Sequence, residues 1–559
     1  MKLTKINFMK KIFFLFVVIF FLCKPSYSQA PDWLWAKSAR GIGFDIAYSI
    51  ALDASGNTYV AGWFYGTTLN FGNITLINSD STNSNADIFL AKYDANGNVL
   101  WAKSAEGMYD DFAYSIAVDT SGNTYVTGSF NSPYLTFGST TLTNAGGDDI
   151  FLVKYDANGN VLWAKSPGGA ASDDATSVAV DVSGNIYLAG YFFSPTITFD
   201  SITLTNVGSQ NIFIAKYDTN GNVIWAKCAG GTDNDDAFSI AVDVSGNIYM
   251  TGGFTSPIIS FGSTTLTNTN SYIDIFLSKY DANGNVLWAK SFWGTGDDYA
   301  TSLSSDAFGN IYMAGYFYSS LGFGSTILTN VDNTYNATDL FIAKFDANGN
   351  SQWAKSAGGM NNDYASSISV DALGNTYVAG CFYSDTIIFS PITLTNEGYQ
   401  NIFISKYEAN GNVLWAISAG GKKCDEANSI AVDASGNIYA LGIFSSPTIN
   451  FDSTILTNVD STGYYPDIFL AKLCSSTGIT EINSENTINI FPNPAIDNLT
   501  IETPQKSEIE ILNIEGQIIK SISVNNNHTS IDISSFARGM YFVKVKTENG
   551  VEVKKFVKE

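Results

Sequence analysis

The segment WAKSAEGMYDDFAYSIAVDTSGNTYVTGSFNSPYLTFGSTTLTNAGGDDIFLVKYDANGNVL, residues 101–162, decides the fold, because near copies of it fill most of the chain. Each copy opens on a tryptophan: Trp35, Trp101, Trp163, Trp225, Trp288, Trp353 and Trp415, at spacings of 66, 62, 62, 63, 65 and 62 residues. Self-similarity at a fixed period marks a supersecondary unit that buries its apolar face only against its neighbours. In the quoted copy, residues 115–119, 123–130, 149–156 and 160–165 are short runs rich in β-branched and aromatic side chains, which read as strands. D-T-S-G-N joins the first pair and D-A-N-G-N the last, short turns whose glycine accepts a positive φ. Four strands repeated seven times, with no amphipathic helical period, predict a seven-bladed β-propeller. The copies stop at a third strand, 467–473, while residues 33–38 supply a fourth strand with no blade before it. Pairing these two would close the ring and remove its open edges.

Composition narrows the chemistry. The 559 residues carry 52 acidic against 29 basic groups, a formal charge of −23, and one histidine, His528. Nucleic acid is excluded as a partner because phosphate affinity needs clustered Lys and Arg. A Ser–His–Asp triad or an imidazole base is excluded outside the vicinity of His528. Residues 1–28 read as a signal peptide: Lys2, Lys5, Lys10 and Lys11 precede an apolar run over 12–22, and small residues lead to cleavage before Gln29. That run is too short to span a bilayer. Of the cysteines left after cleavage, Cys228, Cys381, Cys424 and Cys474, only Cys424 and Cys474 share a repeat, and buried thiols are the preferred reading.

Residues 29–478 are assigned to the propeller, 479–488 to a linker and 489–559 to a C-terminal domain read as a small Ig-like β-sandwich. Its motifs are Phe491-Pro492-Asn493-Pro494, the stretch 511–519 with Gly516, Gly539-Met540-Tyr541-Phe542-Val543-Lys544-Val545 and Lys554-Lys555-Phe556-Val557-Lys558. These resemble the type A C-terminal sorting domain of the Bacteroidetes type IX secretion system. The resemblance implies passage across the outer membrane, with the secretion machinery and its sortase-like peptidase as partners, and release or attachment at the cell surface. The repeats resemble the bacterial β-propeller repeat family through D-x-x-G-N-x-Y-x-x-G and D-x-F-x-x-K-Y-x-x-x-G, which implies the fold and not an activity.

Comparison of the seven copies locates a candidate site. All length variation falls between second and third strands, where the Phe-to-Phe distance runs from 21 to 25 residues. The longest versions span 79–87, 331–339 and 459–467. One face of the ring is therefore constant scaffold and the other adjustable, and binding residues concentrate on loops held by a rigid frame. Ten residues after each repeat tryptophan stands an aspartate: Asp45, Asp111, Asp173, Asp235, Asp298, Asp363 and Asp425, always followed by x-A-x-S. As a carboxylate ring at the channel mouth these would attract cations; as structural groups they would accept N–H bonds from their own interblade turns. Recurrence in every copy favours the structural role. No cofactor is implied, and the one group these carboxylates suit is a structural cation such as calcium. The D-A-N-G-N turns place glycine fourth, not sixth as a calcium loop requires.

Trp293 and the pair Tyr464-Tyr465 break the repeat and offer aromatic faces to a sugar. The basic groups do not form an anion site: of 16 Lys and Arg over 29–478, against 41 Asp and Glu, 13 recur in third or fourth strands. Such regular placement predicts internal pairing or stems laid along apolar surface. The reading is a monomeric, secreted or surface-displayed propeller that binds a glycan or protein without catalysis. Its alternatives are a structural surface component and a carboxylate-dependent glycan-active enzyme.

Overall fold

The structure is a computed structural model that describes residues 30–80, 84–332, 337–474, 488–503, 507–513, 517–524, 526, 528–547 and 550–559. The expected signal peptide, most of the linker and Gly516 lie outside these residues. Among the described residues there is strand and turn but no helix. The chain divides into two compact units, Met1–Ser476 and Thr477–Glu559.

The first unit is the seven-bladed propeller. Blade 2 pairs Asp111–Val118, Thr124–Phe130, Asp149–Tyr155 and Val161–Lys165 in sequence order, and the other blades follow the same antiparallel plan. Each innermost strand begins four residues earlier than its β-branched run suggested, on the repeat aspartate itself. Asp111 pairs with Phe130, and a bulge at Tyr114 then shifts the register. The same bulge recurs at the second variable position of D-x-A-x-S in every blade. It explains the repeat glycine of A-G-x-F: a Cβ on Gly62 or Gly128 would collide with the carbonyl of Ile46 or Phe112 across the bulge.

The ring closes as the strand offset predicted. Trp33–Gly41 pairs antiparallel with Asp467–Leu473, from Trp33 opposite Leu473 to Ala39 opposite Ile468, and completes blade 7. Seven apolar clusters lie between successive blades, each drawing side chains from both. Near the axis a chain of hydrogen bonds passes once around the ring. The serine of D-x-A-x-S accepts the N–H of the next innermost strand: Ile116 to Ser49, Val178 to Ser115, Ile240 to Ser177, Leu303 to Ser239, Ile368 to Ser302, Ile430 to Ser367 and Ile50 to Ser429, at 3.0–3.3 Å.

The third-strand lysines are paired internally at the hairpin turns, as their regular placement indicated. Lys154 lies 5.0 Å from the Tyr125 ring centre, and its Nζ donates to the Thr219 carbonyl of the next blade at 3.1 Å. Trp163 Nε1 donates to the same oxygen at 3.3 Å, so two side chains hold one turn. In the turns, Asp181 accepts from Ser183 N, Asn185 N, Asn185 Nδ2 and the Tyr187 hydroxyl, which commits its oxygens to the hairpin itself.

The T-I-T-F-G-S-T-T-L-T pattern between second and third strands forms a further hairpin, Tyr134–Phe137 with Thr140–Thr143 in blade 2. It is not part of a freely adjustable loop. Phe137 and Leu135 are buried, and Thr136 bridges back to Glu106 after the preceding blade's outer strand. Length changes mainly in the segment between the following asparagine and the third strand; before it only blade 5 differs, with Asn330 13 residues after Phe317 against 14 in every other blade.

The second unit is the sandwich. One sheet orders Asn489–Phe491, Asn498–Glu502 and His528–Asp532; the other orders Ile518–Val524, Ser507–Leu512, Gly539–Thr547 and Gly550–Lys558. Leu499, Ile501, Ile509, Ile511, Val543, Val545 and Phe556 form its core. Asn493, between Pro492 and Pro494, fastens the last strand by donating to the Lys555 carbonyl at 3.1 Å and accepting from Val557 N at 3.0 Å. Tyr541 stacks on Phe556 and donates to the Ala537 carbonyl at 2.9 Å, Gly539 takes a positive φ of 151°, Lys554 is half-buried and Lys555 exposed.

Candidate functional site

The expectation of an open aspartate ring is corrected. Asp45, Asp111, Asp173, Asp235, Asp298, Asp363 and Asp425 are all fully buried. The structural role expected of them is seen directly in two blades, where Asp235 and Asp425 accept the interblade-turn N–H of Gly231 and Gly421 at 2.7 Å, and a second partner is more general. In five blades Oδ2 accepts the hydroxyl of a serine in the loop after the second strand, at 2.7–2.9 Å: Ser132, Ser194, Ser256, Ser384 and Ser446. In these five blades a carboxylate opening an innermost strand thus fixes the loop that leaves the neighbouring strand. Burial pushes Asp111, Asp173 and Asp363 to about 7, with the serine bonds opposing the shift.

The residues that differ from blade to blade stand beside these aspartates, at the two x positions of D-x-A-x-S. Blade by blade they are Ile46 and Tyr48, Phe112 and Tyr114, Asp174 and Thr176, Asp236 and Phe238, Tyr299 and Thr301, Tyr364 and Ser366, Glu426 and Asn428. All are at least partly exposed, whereas the flanking Asp and Ala are buried in every blade and the Ser in five. Their interactions run once around the innermost strands. Tyr48 and Tyr114 meet edge to face at 5.8 Å. The Asp174 charge is felt by Tyr114 and by Asp236, and the Asp236 charge by Tyr299. Tyr299 stacks on Tyr316 at 5.0 Å, and Tyr316 meets Tyr364 at 4.8 Å. Tyr364 meets Tyr383 at 6.1 Å; the Glu426 charge is felt by Tyr383 and by Tyr48, which completes the circuit.

This axial ring alternates aromatic and acidic arcs. Trp63 packs on Phe112 at 5.3 Å and extends the first aromatic arc. The carboxylates are held from behind: buried Gln400 donates to Glu426 Oε1 at 2.9 Å, and buried Gln210 donates to Asp236 Oδ1. Burial, then the Asp174 charge, pushes Asp236 to about 6. No Lys or Arg occupies either x position in any blade. Flat apolar faces beside oriented acceptors suit a ligand that presents C–H faces together with hydroxyl or amine donors.

The structure separates the other aromatic candidates. Tyr464 and Tyr465 lie in the long loop of blade 7 and form one cluster with Phe44, at 5.6 and 5.3 Å. Asp460 organises that loop by accepting from the N–H groups of Thr462, Tyr464 and Tyr465, and its carboxyl falls to about 2. Trp293 instead flanks the extra hairpin of blade 5, where its carbonyl accepts Gly322 N at 3.1 Å. Its ring is 63% exposed, but no aromatic partner accompanies it among the described residues.

No disulfide joins the four described cysteines, and Cys228 is exposed, where a buried thiol was expected. Among the described residues, no three His, Cys, Asp or Glu side chains form a metal-binding group.

Two family models match parts of this chain. Residues 489–559 match the secretion system C-terminal sorting domain, and residues 108–134 match the β-propeller repeat. The chain is 26% identical over 508 residues to an uncharacterized WD repeat-containing protein of Acanthamoeba polyphaga mimivirus, covering 75% of this chain and 36% of that protein. It is 24% identical over 299 residues to the regulatory protein FlaEY of Caulobacter vibrioides, covering 50% of this chain and 31% of that protein. The chain thus spans about a third of the length of these curated relatives. Among solved structures it is similar to PorZ, a surface component of the type IX secretion system of Porphyromonas gingivalis, at 12% identity and a TM-score of 0.29, covering 91% of this chain and 70% of that one.

Proposed function

We propose that this propeller, which carries a type IX sorting domain and is exported to the cell surface or beyond, is a non-catalytic binding module whose ligand seats on the axial ring. The observation that carries this reading is the contrast within one repeat. Positions that build the ring, the Asp, Ala and Ser of D-x-A-x-S, are the same in every blade, whereas the two partly exposed positions between them differ in chemistry. Packing alone gives no reason for seven equivalent sites to carry phenol, indole-backed phenyl, carboxylate and amide groups in turn. A ligand without sevenfold symmetry does. Aromatic arcs beside acceptors held by Gln210 and Gln400 favour an extracellular glycan, with a protein surface as the other class. The signal peptide over 1–28 provides the first export step, and the closed ring acts as a monomer.

A glycan and surface-protein array probed with the full chain tests this reading. Retention of a ligand that stays intact supports it; failure to retain any, or release of cleaved product, counts against it. The second reading, glycan hydrolysis, is favoured by one feature: Asp236, near 6, stands beside the carboxylate of Asp174 on the adjacent blade. Product formation lost in both Asp174→Asn and Asp236→Asn would establish it.

A further inference from the structure

At two of the seven blade junctions no serine hydroxyl bonds the repeat aspartate as it does at the other five. Twenty-one residues after Asp45 stands Gly66, with φ of 86°, and at the same offset from Asp298 stands Ser319, with φ of 56°. In both, no hydroxyl reaches the carboxylate. Both oxygens of Asp45 and both of Asp298 are buried with no well-formed hydrogen bond; the nearby N–H groups of Gly41 and Tyr318 offset only a small part of the burial. A second buried acid, the first residue of the preceding blade's third strand, adjoins each: Asp467 beside Asp45 and Asp274 beside Asp298. Asp274 Oδ1 also has no partner.

The surroundings supply further oxygen. A Cβ on Gly294 would collide with both Asp298 Oδ2 and the Ser320 carbonyl oxygen, and one on Gly41 with Asp45 Oδ2 and the Thr68 carbonyl oxygen. The missing side chain of each glycine therefore leaves room where a carboxylate and a carbonyl converge, with only the backbone N–H of Gly41 at the first junction and of Tyr318 at the second acting on the aspartates as donors. The charged groups facing Asp298 are Asp274 and Asp297, both acidic; Asp467 also feels Arg40. With no counter-ion, burial pushes Asp298 to about 9 and Asp274 to about 7. An ionised carboxylate buried without a partner is strongly disfavoured, so such a site takes either a proton or a cation. All the ligating atoms are hard carboxylate and carbonyl oxygens, the donor set calcium prefers, and extracellular modules bind calcium with dissociation constants of about 0.1–1 mM.

We propose that calcium occupies the Asp274–Asp298 junction and, more weakly because Arg40 already offsets charge, the Asp45–Asp467 junction, locking blade 4 to blade 5 and blade 7 to blade 1. The proposal is independent of any ligand on the axial ring.

The test is calcium titration of the full chain by calorimetry, with thermal unfolding followed in calcium and in chelator. Asparagine already occupies the position of Asp274 in blades 3 and 6, as Asn211 and Asn401, so Asp274→Asn is compatible with the fold. The expected result is two bound calcium ions, one in Asp274→Asn and none in Asp274→Asn/Asp467→Asn, with the calcium-dependent rise in unfolding temperature lost in step. Asp149→Asn, at a junction where Ser194 is present, keeps both ions. No binding at millimolar calcium, unchanged binding in the double variant, or equal loss in Asp149→Asn would overturn the proposal. Stability insensitive to calcium but falling steeply at alkaline pH would assign the junctions a shared proton instead.

Discussion

The serine circuit near the axis makes a quantitative prediction. Ser177 is buried, and its Oγ accepts the Ile240 N–H of the next blade at 3.1 Å. Ser177→Ala removes one oxygen and leaves that N–H buried without an acceptor, since an innermost strand has no neighbour on its axial side. Stranding a buried donor costs about 1–3 kcal/mol, more than the net worth of the bond itself. Ser183→Ala is the control: its side chain lies exposed in a hairpin of the same blade, where a change of less than about 0.5 kcal/mol is expected. Urea unfolding followed by tryptophan fluorescence measures both, the repeat tryptophans reporting the strand edges. A Ser177→Ala midpoint indistinguishable from that of Ser183→Ala would refute the claim that the serines stitch the ring.

Three further predictions concern the whole propeller. Burial holds Asp87, Asp149, Asp235, Asp425 and Asp467 at about 6, and Asp111, Asp173, Asp274, Asp339 and Asp363 at about 7, against an ordinary 3.8. The native state keeps these protons where the unfolded chain has lost them, so this stabilisation is complete below pH 3.8 and disappears as pH rises through 6 to 7. In chelator, the urea midpoint should therefore fall between pH 5 and pH 8, and a rise over that interval would contradict the burial assigned to these groups. Lys154→Met removes a cation from the Tyr125 face and a bond to Thr219, and should lower stability by about 1–2 kcal/mol in the same assay. Among the thiols, Cys228 should react with a maleimide in the native protein and Cys381 only after unfolding, as mass spectrometry of labelled peptides will report.

The sequence carried the architecture because a propeller is written in repetition. Tryptophan spacing, strand composition and the displaced strand at 33–38 determine blade number and closure, and each depends on local chemistry. The role of the repeat aspartates was not legible, for a physical reason. Asp111 is paired through Ser132, 21 residues away, and the bulge at Tyr114 that turns the flanking side chains has no composition of its own. The clasp formed by the further hairpin was not legible, because its partner, Glu106, belongs to the end of the preceding repeat. The axial ring did leave a signal: the x positions of D-x-A-x-S vary while their neighbours do not. Invariance draws attention to what builds the ring, and the candidate site lies in the variation between.

The central claim is that recognition resides in that ring. Its most direct test compares the full chain with Asp174→Asn/Asp236→Asn/Glu426→Gln on one glycan and surface-protein array. These substitutions preserve shape and remove the three charges. Loss of the retained ligands in the variant, with unchanged urea unfolding, is the predicted result. A variant that unfolds normally and retains every ligand of the parent would contradict the account.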